Sequence, residues 1–246
     1  MKYIFLQVVC PLAQQIEEII RQTELPFKLD EITIGDGNCF TRAVLQQCQR
    51  NPVKNYLRNR QVNLRNYMEL KKNVCQFMLK ESNIPMLREF KVRFEARQGE
   101  ARLRGEHAHT WNQYWMTMAK DGEWVDAVFV QATAWYLYSD IHLIPTATAT
   151  KENPFFTISG NYTFETVSCQ GPALLLGYNS NLHYQSVLPI DEQKRVEFLD
   201  PQTFDSVLSD VQRVEEGNYN GVHVTLVQAD IHKEKVSSST SIDITE

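Results

Sequence analysis

Cys39 is the side chain in this sequence best placed to act as a nucleophile. It follows Asp36-Gly37-Asn38 and precedes Phe40, Ala43, Val44, Leu45 and Cys48, apolar positions at roughly helical spacing. That order reads as an acidic, glycine-containing turn opening into a helix, with the thiol on its first turn. N–H groups at a helix start lack intrahelical acceptors, and the positive end of the dipole lies there. Both favour a thiolate, so the sequence predicts that Cys39 titrates below the usual value of about 8.5. Backbone N–H groups of the Gly37-Asn38 turn could also hold the oxyanion of a tetrahedral intermediate. The competing reading is a small buried hydrophobe, the commonest fate of a cysteine. A histidine partner decides between the two.

Of the six histidines, His183 has the most informative context. Gly171-Pro172-Ala173-Leu174-Leu175-Leu176-Gly177-Tyr178 reads as a buried strand, and Asn179-Ser180-Asn181 as a turn. Leu182 to Leu188 reads as a second strand closed by Pro189, so His183 stands just after the turn of a hairpin. A strand end at a sheet rim can bring an imidazole to a thiol on a helix N-terminus. Strand alternation puts Gln185 on the same face as His183. Upstream, Phe27, Leu29, Ile32 and Ile34 read as an extended apolar segment leading into the Gly35–Gly37 turn.

With these residues in view the chain resembles a known family. Asp36-Gly37-Asn38-Cys39-Phe40, with Arg42-Ala43 beyond, is similar to the cysteine loop of the ovarian-tumour (OTU) family of deubiquitinating cysteine proteases. His183-Tyr184-Gln185-Ser186-Val187 resembles the histidine strand of that family. Tyr114-Trp115-Met116, Gly122-Glu123-Trp124-Val125-Asp126 and Ile141-His142-Leu143-Ile144 resemble its middle region, so the likeness runs from about Leu29 to Pro189. It implies an α/β (α+β), papain-like fold with a small central sheet flanked by helices. It also implies attack of Cys39 on an isopeptide carbonyl, with His183 taking and returning the proton. Asp36 would shape the loop rather than act as a base. The substrate class would be ubiquitin or a ubiquitin-like modifier, including polyubiquitin chains, with no cofactor and no metal. One position departs from the pattern: where the family carries Asp or Asn to orient the imidazole, this chain has Gln185, whose amide oxygen sits on a longer stem. That departure keeps open a different class of function, a ubiquitin-binding module on the same fold without useful turnover. A redox or metal role for Cys39 lacks supporting ligand spacing.

Other features set the limits of the reading. A length of 246 residues, 43% hydrophobic and 22% charged, suits one main domain with extensions. The net charge of −5 gives no push towards nucleic acid or membrane, and no run approaches the length of a membrane span. Five cysteines at irregular spacing, without a CxxC pair, fit a reducing compartment, cytoplasmic or nuclear. Cys10, Cys48, Cys75 and Cys169 read as packing residues. His107-Ala108-His109 has no further ligand at metal spacing and reads as a solvated loop. Lys71-Lys72 and the arginines from Arg88 to Arg104 read as solvated helical faces, the latter interleaved with Glu89, Glu95 and Glu100. Trp111, Tyr114, Trp115, Trp124 and Trp135 read mainly as core. The Asn161-Tyr162-Thr163 sequon matters only in a secreted chain.

The expected organisation is an N-terminal segment and short helix over 1–28, a catalytic-type domain over 29–190, an extension over 191–232 and a polar, disordered tail over 233–246. Tyr3 to Cys10 is too short an apolar run for a signal peptide and reads as a buried segment. Helices are expected through Ile16, Ile19 and Ile20, from about Tyr56 to Ser82, and over Met86 to Gly105. Strand-forming character appears at Phe155 to Thr166. In the extension, a helix through Phe204 to Val211 and a strand through Val222 to Leu226 are expected.

Overall fold

A computed structural model of the chain describes residues 11–80, 84–150, 155–162, 171–179 and 183–190. In chain order these form α1 (Pro11–Gln22), β1 (Phe27–Leu29), α2 (Cys39–Cys48), α3 (Val53–Asn59), α4 (Tyr67–Lys80), α5 (Pro85–Leu103) and α6 (Trp111–Met118). They continue with α7 (Ala127–Leu137), β2 (Ser139–Pro145), β3 (Phe156–Ile158), β4 (Gly171–Asn179) and β5 (His183–Pro189). The strands make one five-stranded sheet in the order β1-β5-β4-β2-β3. β4 runs parallel to β2, and the other neighbours are antiparallel. This mixed α/β architecture is the one expected.

The sheet is covered on both faces, which explains the unbroken apolar run Leu174-Leu175-Leu176. Leu174, Leu176, Ile141, Leu143 and Tyr184 enter a large core with residues of α2, α4, α6 and α7. Leu175, Ile144, Val187 and Phe27 face the opposite way, against Ile16 and Ile20 of α1. α1 approaches so closely that a Cβ on Gly177 would lie 2.1 Å from Ile16 Cγ2. β5 is buried along its whole length, so His183 is carried on a fully enclosed strand.

Helix starts follow local rules. Thr110 and Gln113 form a capping box at α6. Asp126 caps α7 by accepting from Phe129 N at 3.0 Å, and it also accepts from Tyr114 Oη at 2.5 Å. α7 is apolar all round and accordingly buried. Trp111, Tyr114, Trp115 and Trp135 are core residues in edge-on contact with one another and with Phe90, Phe94 and Phe129. Trp124 is the exception, 47% exposed. The charged outer face of α5 carries the pairs Lys91–Glu95 and Arg93–Glu89. The rings of His107 and His109 lie 4.4 Å apart, tilted by 57°. Among the described residues no helix is long and apolar enough to cross a membrane.

Two expectations are corrected. The helical region from Tyr56 to Ser82 is divided: α3 ends at Asn59, Gln61 takes φ 59°, and α4 starts afresh at Tyr67. Asn66 Oδ1 accepts from Glu69 N while Glu69 Oε2 accepts from Arg65 N, a reciprocal start signal in the sequence Asn66-Tyr67-Met68-Glu69. Lys71 is not on a solvated face but is 0% exposed. The expected Tyr3–Cys10 segment, the residues 180–182 of the hairpin turn, Phe164 and Thr166, Cys169, and the 191–232 and 233–246 segments lie outside the described residues.

His142 on β2 is enclosed between Thr157, whose Oγ1 is 2.8 Å from Nδ1, and the Phe155 ring. Burial pushes its pKa down to about 3. The folded protein therefore holds it neutral while the unfolded chain protonates it below about 6.5. Stability should fall as pH drops from about 6.5 towards 3, by up to about 1.4 kcal/mol per pH unit from this group. In urea unfolding at pH 7 and pH 5, His142→Gln should lose less stability between the two than the native chain. An unchanged difference would contradict it.

Candidate active site

Residues 30–38 link β1 to α2 and carry the candidate site, although they belong to no helix or strand. Their polar groups are satisfied by β5. Asp30 N donates to Ser186 O at 2.9 Å, and the Asp30 carboxylate pairs with Arg50 and accepts from Ser186 Oγ. Gln185 Nε2 donates to Glu31 O at 2.7 Å, and Gln185 Oε1 accepts from Thr33 N at 3.0 Å. The Gln185 side chain thus occupies two backbone groups of the segment. Ile32 and Ile34 point outward, 40% and 66% exposed, and Thr33 points in.

Thr33 is the residue that sequence reasoning missed at the imidazole. Its Oγ1 lies 2.7 Å from Tyr184 O, 3.2 Å from His183 Nε2 and 3.3 Å from Gln185 Oε1. The single hydroxyl proton goes to the nearest acceptor, Tyr184 O. Oγ1 therefore accepts from Nε2–H, which leaves a lone pair on Nδ1. Nδ1 is buried and has no hydrogen-bond partner, and a Cβ on Gly35 would sit 3.8 Å from it. Burial pulls the His183 pKa below its ordinary 6.5, partly offset by the Gln185 amide oxygen.

Cys39 opens α2 and is 2% exposed. The backbone N–H of Tyr184, next to His183, faces its sulfur, as do the N–H groups of Phe40 and Cys39 itself. These donors favour thiolate, yet burial outweighs them and the Asp36 charge adds to the penalty, so the Cys39 pKa is raised above its ordinary 9.0. This corrects the expected depression: the start of a helix favours a thiolate only where water or a cation can also reach it. Cys48 and Cys75 are plain packing residues, their thiols pushed up to about 12 by burial.

The turn before Cys39 is fixed by a second loop. Gly37 has φ +82°, and a Cβ there would lie 2.0 Å from Gly122 O. Asn38 caps α2 with its backbone alone, because its side chain is engaged elsewhere. Nδ2 donates to Asp121 Oδ1 at 2.9 Å, and Oδ1 accepts from Gly122 N and Lys71 Nζ, each at 3.2 Å. Asp36 Oδ1 accepts from Asn38 N at 3.1 Å, and Oδ2 pairs with Arg42 at 2.7 Å. Burial raises the Asp36 pKa, but Arg42 and the Asn38 N–H more than offset this and hold it low. The Asn38 N–H is therefore committed to Asp36, which removes it from the set of oxyanion donors expected from the sequence. Lys71 is the second missed residue. The signal for it was present, since 71, 74, 75 and 78 share one helical face with Val74, Cys75 and Met78.

Structure thus joins Thr33, His183 and Gln185 in one cluster and Asp36, Gly37, Asn38 and Lys71 in another, with the Cys39 sulfur facing the backbone N–H of Tyr184, the residue after His183. The chain is a member of a defined class: residues 34–186 match the family model of OTU-like cysteine proteases, and the chain belongs to that family. Among solved structures, the OTU domain of OTUD1 is 20% identical, covering 71% of this chain and 93% of its own, at a TM-score of 0.44. An ovarian-tumour domain in complex with ubiquitin is 13% identical over 76% of this chain and 84% of its own, at 0.45. An OTU deubiquitinase from Wolbachia pipientis wMel is 15% identical over 70% and 95%, at 0.41. No curated protein sequence matches the chain.

Gly37→Ala places a side chain both in the left-handed region and against Gly122 O, and should cost at least about 1–3 kcal/mol. Gly99→Ala in α5, where a Cβ meets nothing within 4 Å, is the control of opposite sign. Thermal denaturation of the two variants checks the pair, and a Gly37→Ala melt equal to native would show that the loops need not touch.

Proposed function

We propose that the chain is a thiol-dependent deubiquitinase, hydrolysing the isopeptide bond between ubiquitin, or a ubiquitin-like modifier, and a lysine. The observation that carries this reading is the setting of His183: Nε2 lies 3.2 Å from Thr33 Oγ1, while Nδ1 is buried and without a hydrogen-bond partner. A buried imidazole so arranged, beside a strand residue whose N–H faces the Cys39 sulfur, is suited to take a proton from that sulfur.

In the first step Nδ1 takes the thiol proton as Sγ attacks the carbonyl carbon. The oxyanion is received by backbone N–H groups at Gly37 and Cys39, not by Asn38, whose N–H serves Asp36. Collapse of the tetrahedral intermediate breaks the C–N bond, and the imidazolium returns its proton to the lysine amine. Water then attacks the thioester, Nδ1 takes its proton, and the thiol is regenerated with release of a carboxylate. Thr33 and Gln185 together fill the place of the acid: one fixes the ring through Nε2, and the other stiffens the segment that holds Thr33. Asp36 shapes the loop. Neither metal nor organic cofactor enters these steps. An intracellular, reducing site of action suits a free nucleophilic thiol.

A second reading, ubiquitin binding without useful turnover, draws on the raised Cys39 and lowered His183 values, which make a neutral thiol and imidazole the resting pair. Labelling with ubiquitin bearing a C-terminal electrophile separates the two. The protease reading expects a covalent adduct that Cys39→Ala abolishes, with Cys39→Ser and His183→Ala each lowering hydrolysis of a fluorogenic ubiquitin amide by about 10³-fold or more. Tight binding without any adduct favours the module.

Protonation follows with a definite sign. The His183 pKa lies below 6.5 and that of Cys39 above 9.0, so kcat/KM should rise on an acid limb centred below 6.5 and hold level to beyond 9.0. A narrow bell centred near neutrality would contradict those directions. Thr33→Val should lower kcat about 10- to 100-fold with little change in KM, while Thr33→Ser retains most activity. Equal rates for both variants would remove Thr33 from the site.

A further inference from the structure

Lys71 is fully buried on α4, and among the described residues no carboxylate lies within ion-pair distance of its Nζ. Burial lowers the Lys71 pKa although the charges of Glu123, Asp121 and Asp36 act the other way, so an ammonium held here without an ion-paired carboxylate is costly, and an apolar residue at a buried helix position costs less. Its two acceptors are both in loops at the site: Asn38 Oδ1 at 3.2 Å and Glu123 O at 2.7 Å. We propose that Lys71 is a positioning residue for the reaction, tying the Asn38 side chain to the backbone of the 121–123 turn and so fixing the N–H groups at the start of α2. The inference rests on the protease reading above and extends it to a residue that touches neither the sulfur nor the imidazole.

Three features support the tether. Asn38 is addressed at both ends of its amide, by Asp121 on nitrogen and by Lys71 and Gly122 N on oxygen, so its side chain has one orientation. Its backbone carbonyl accepts from Arg42 N at 2.9 Å and Thr41 Oγ1 at 3.1 Å, so any turn of Asn38 moves the first turn of α2, where Cys39 stands. Gly37 and Gly122 are in backbone contact, so the two loops shift together or not at all. Lys71 is the side chain from a packed helix that reaches both loops. Its neighbours on that helix, Leu70, Val74 and Met78, are buried core residues.

The experiment uses the full chain and the variants Lys71→Met, Asn38→Ala and the double. Hydrolysis of a fluorogenic ubiquitin amide should show kcat lowered about 10- to 100-fold in Lys71→Met, with KM within about twofold. The double variant should be no slower than Asn38→Ala by more than about threefold, because Lys71 acts through Asn38. Amide hydrogen exchange should accelerate about tenfold or more at residues 37–40 and 122, with the middle of α4 unchanged. A kcat within twofold of native, a loss that appears in KM instead, or losses that multiply in the double variant overturns the proposal. If the native chain neither hydrolyses nor labels, the protease reading fails, and the exchange pattern alone decides whether Lys71 tethers the loops. Should Lys71→Met not fold, Lys71→Gln takes its place under the same criteria.

Discussion

Every buried backbone group must find a partner, and the stretch from Asp30 to Asn38 meets that demand without forming a helix or a strand. Its hydrogen bonds go to Ser186, Gln185 and Tyr184 on one side and to the 121–123 turn on the other. The stretch brings Thr33 to the His183 ring and leads into Cys39, so the same bonds that hold it in place bear on both residues. The sheet beneath is closed on both faces by α1 and by the large helical core, which leaves β5 no freedom to retreat. Positioning of the site is thus a consequence of polar satisfaction in a segment with no regular structure.

Burial has a second consequence, for protonation. Enclosure raises the Cys39 pKa and lowers that of His183, so the enclosed pair rests neutral. The helix start and three N–H groups aimed at the sulfur do not reverse this. The His183 ring is held at Nε2 by Thr33 Oγ1.

Charge is distributed around the site with equal care for geometry. Arg42 answers Asp36 and lies 3.8 Å from the centroid of the Tyr67 ring. Tyr67 in turn donates towards Asp121, and Lys71 reaches Asn38 and Glu123. A carboxylate close to Cys39 disfavours its ionised form, and the Asp36 charge acts on the sulfur in that direction even with Arg42 paired to it. The 30–38 segment and α2 are continuous in the chain, whereas α4 and the 121–123 turn reach them from further along it.

Local rules made much of this legible. Asp36-Gly37-Asn38-Cys39 at a helix start, His183 after a hairpin turn, and the apolar helix leading into β2 all follow from spacing and from family resemblance, because each depends on residues adjacent in the chain. The break between α3 and α4 was written in Asn66 and Glu69, and the burial of Lys71 in the helical period it shares with Val74, Cys75 and Met78. Tertiary structure alone decided the rest. It turned Ile32 and Ile34 outward and Thr33 inward, because β5 offered Thr33 acceptors that hydropathy cannot register. It gave the Asn38 N–H to Asp36, and it set the two pKa values through enclosure. Sequence determines which groups can do chemistry and where helices and strands begin; which proton sits on which nitrogen depends on partners more than a hundred residues away, and only packing brings those together.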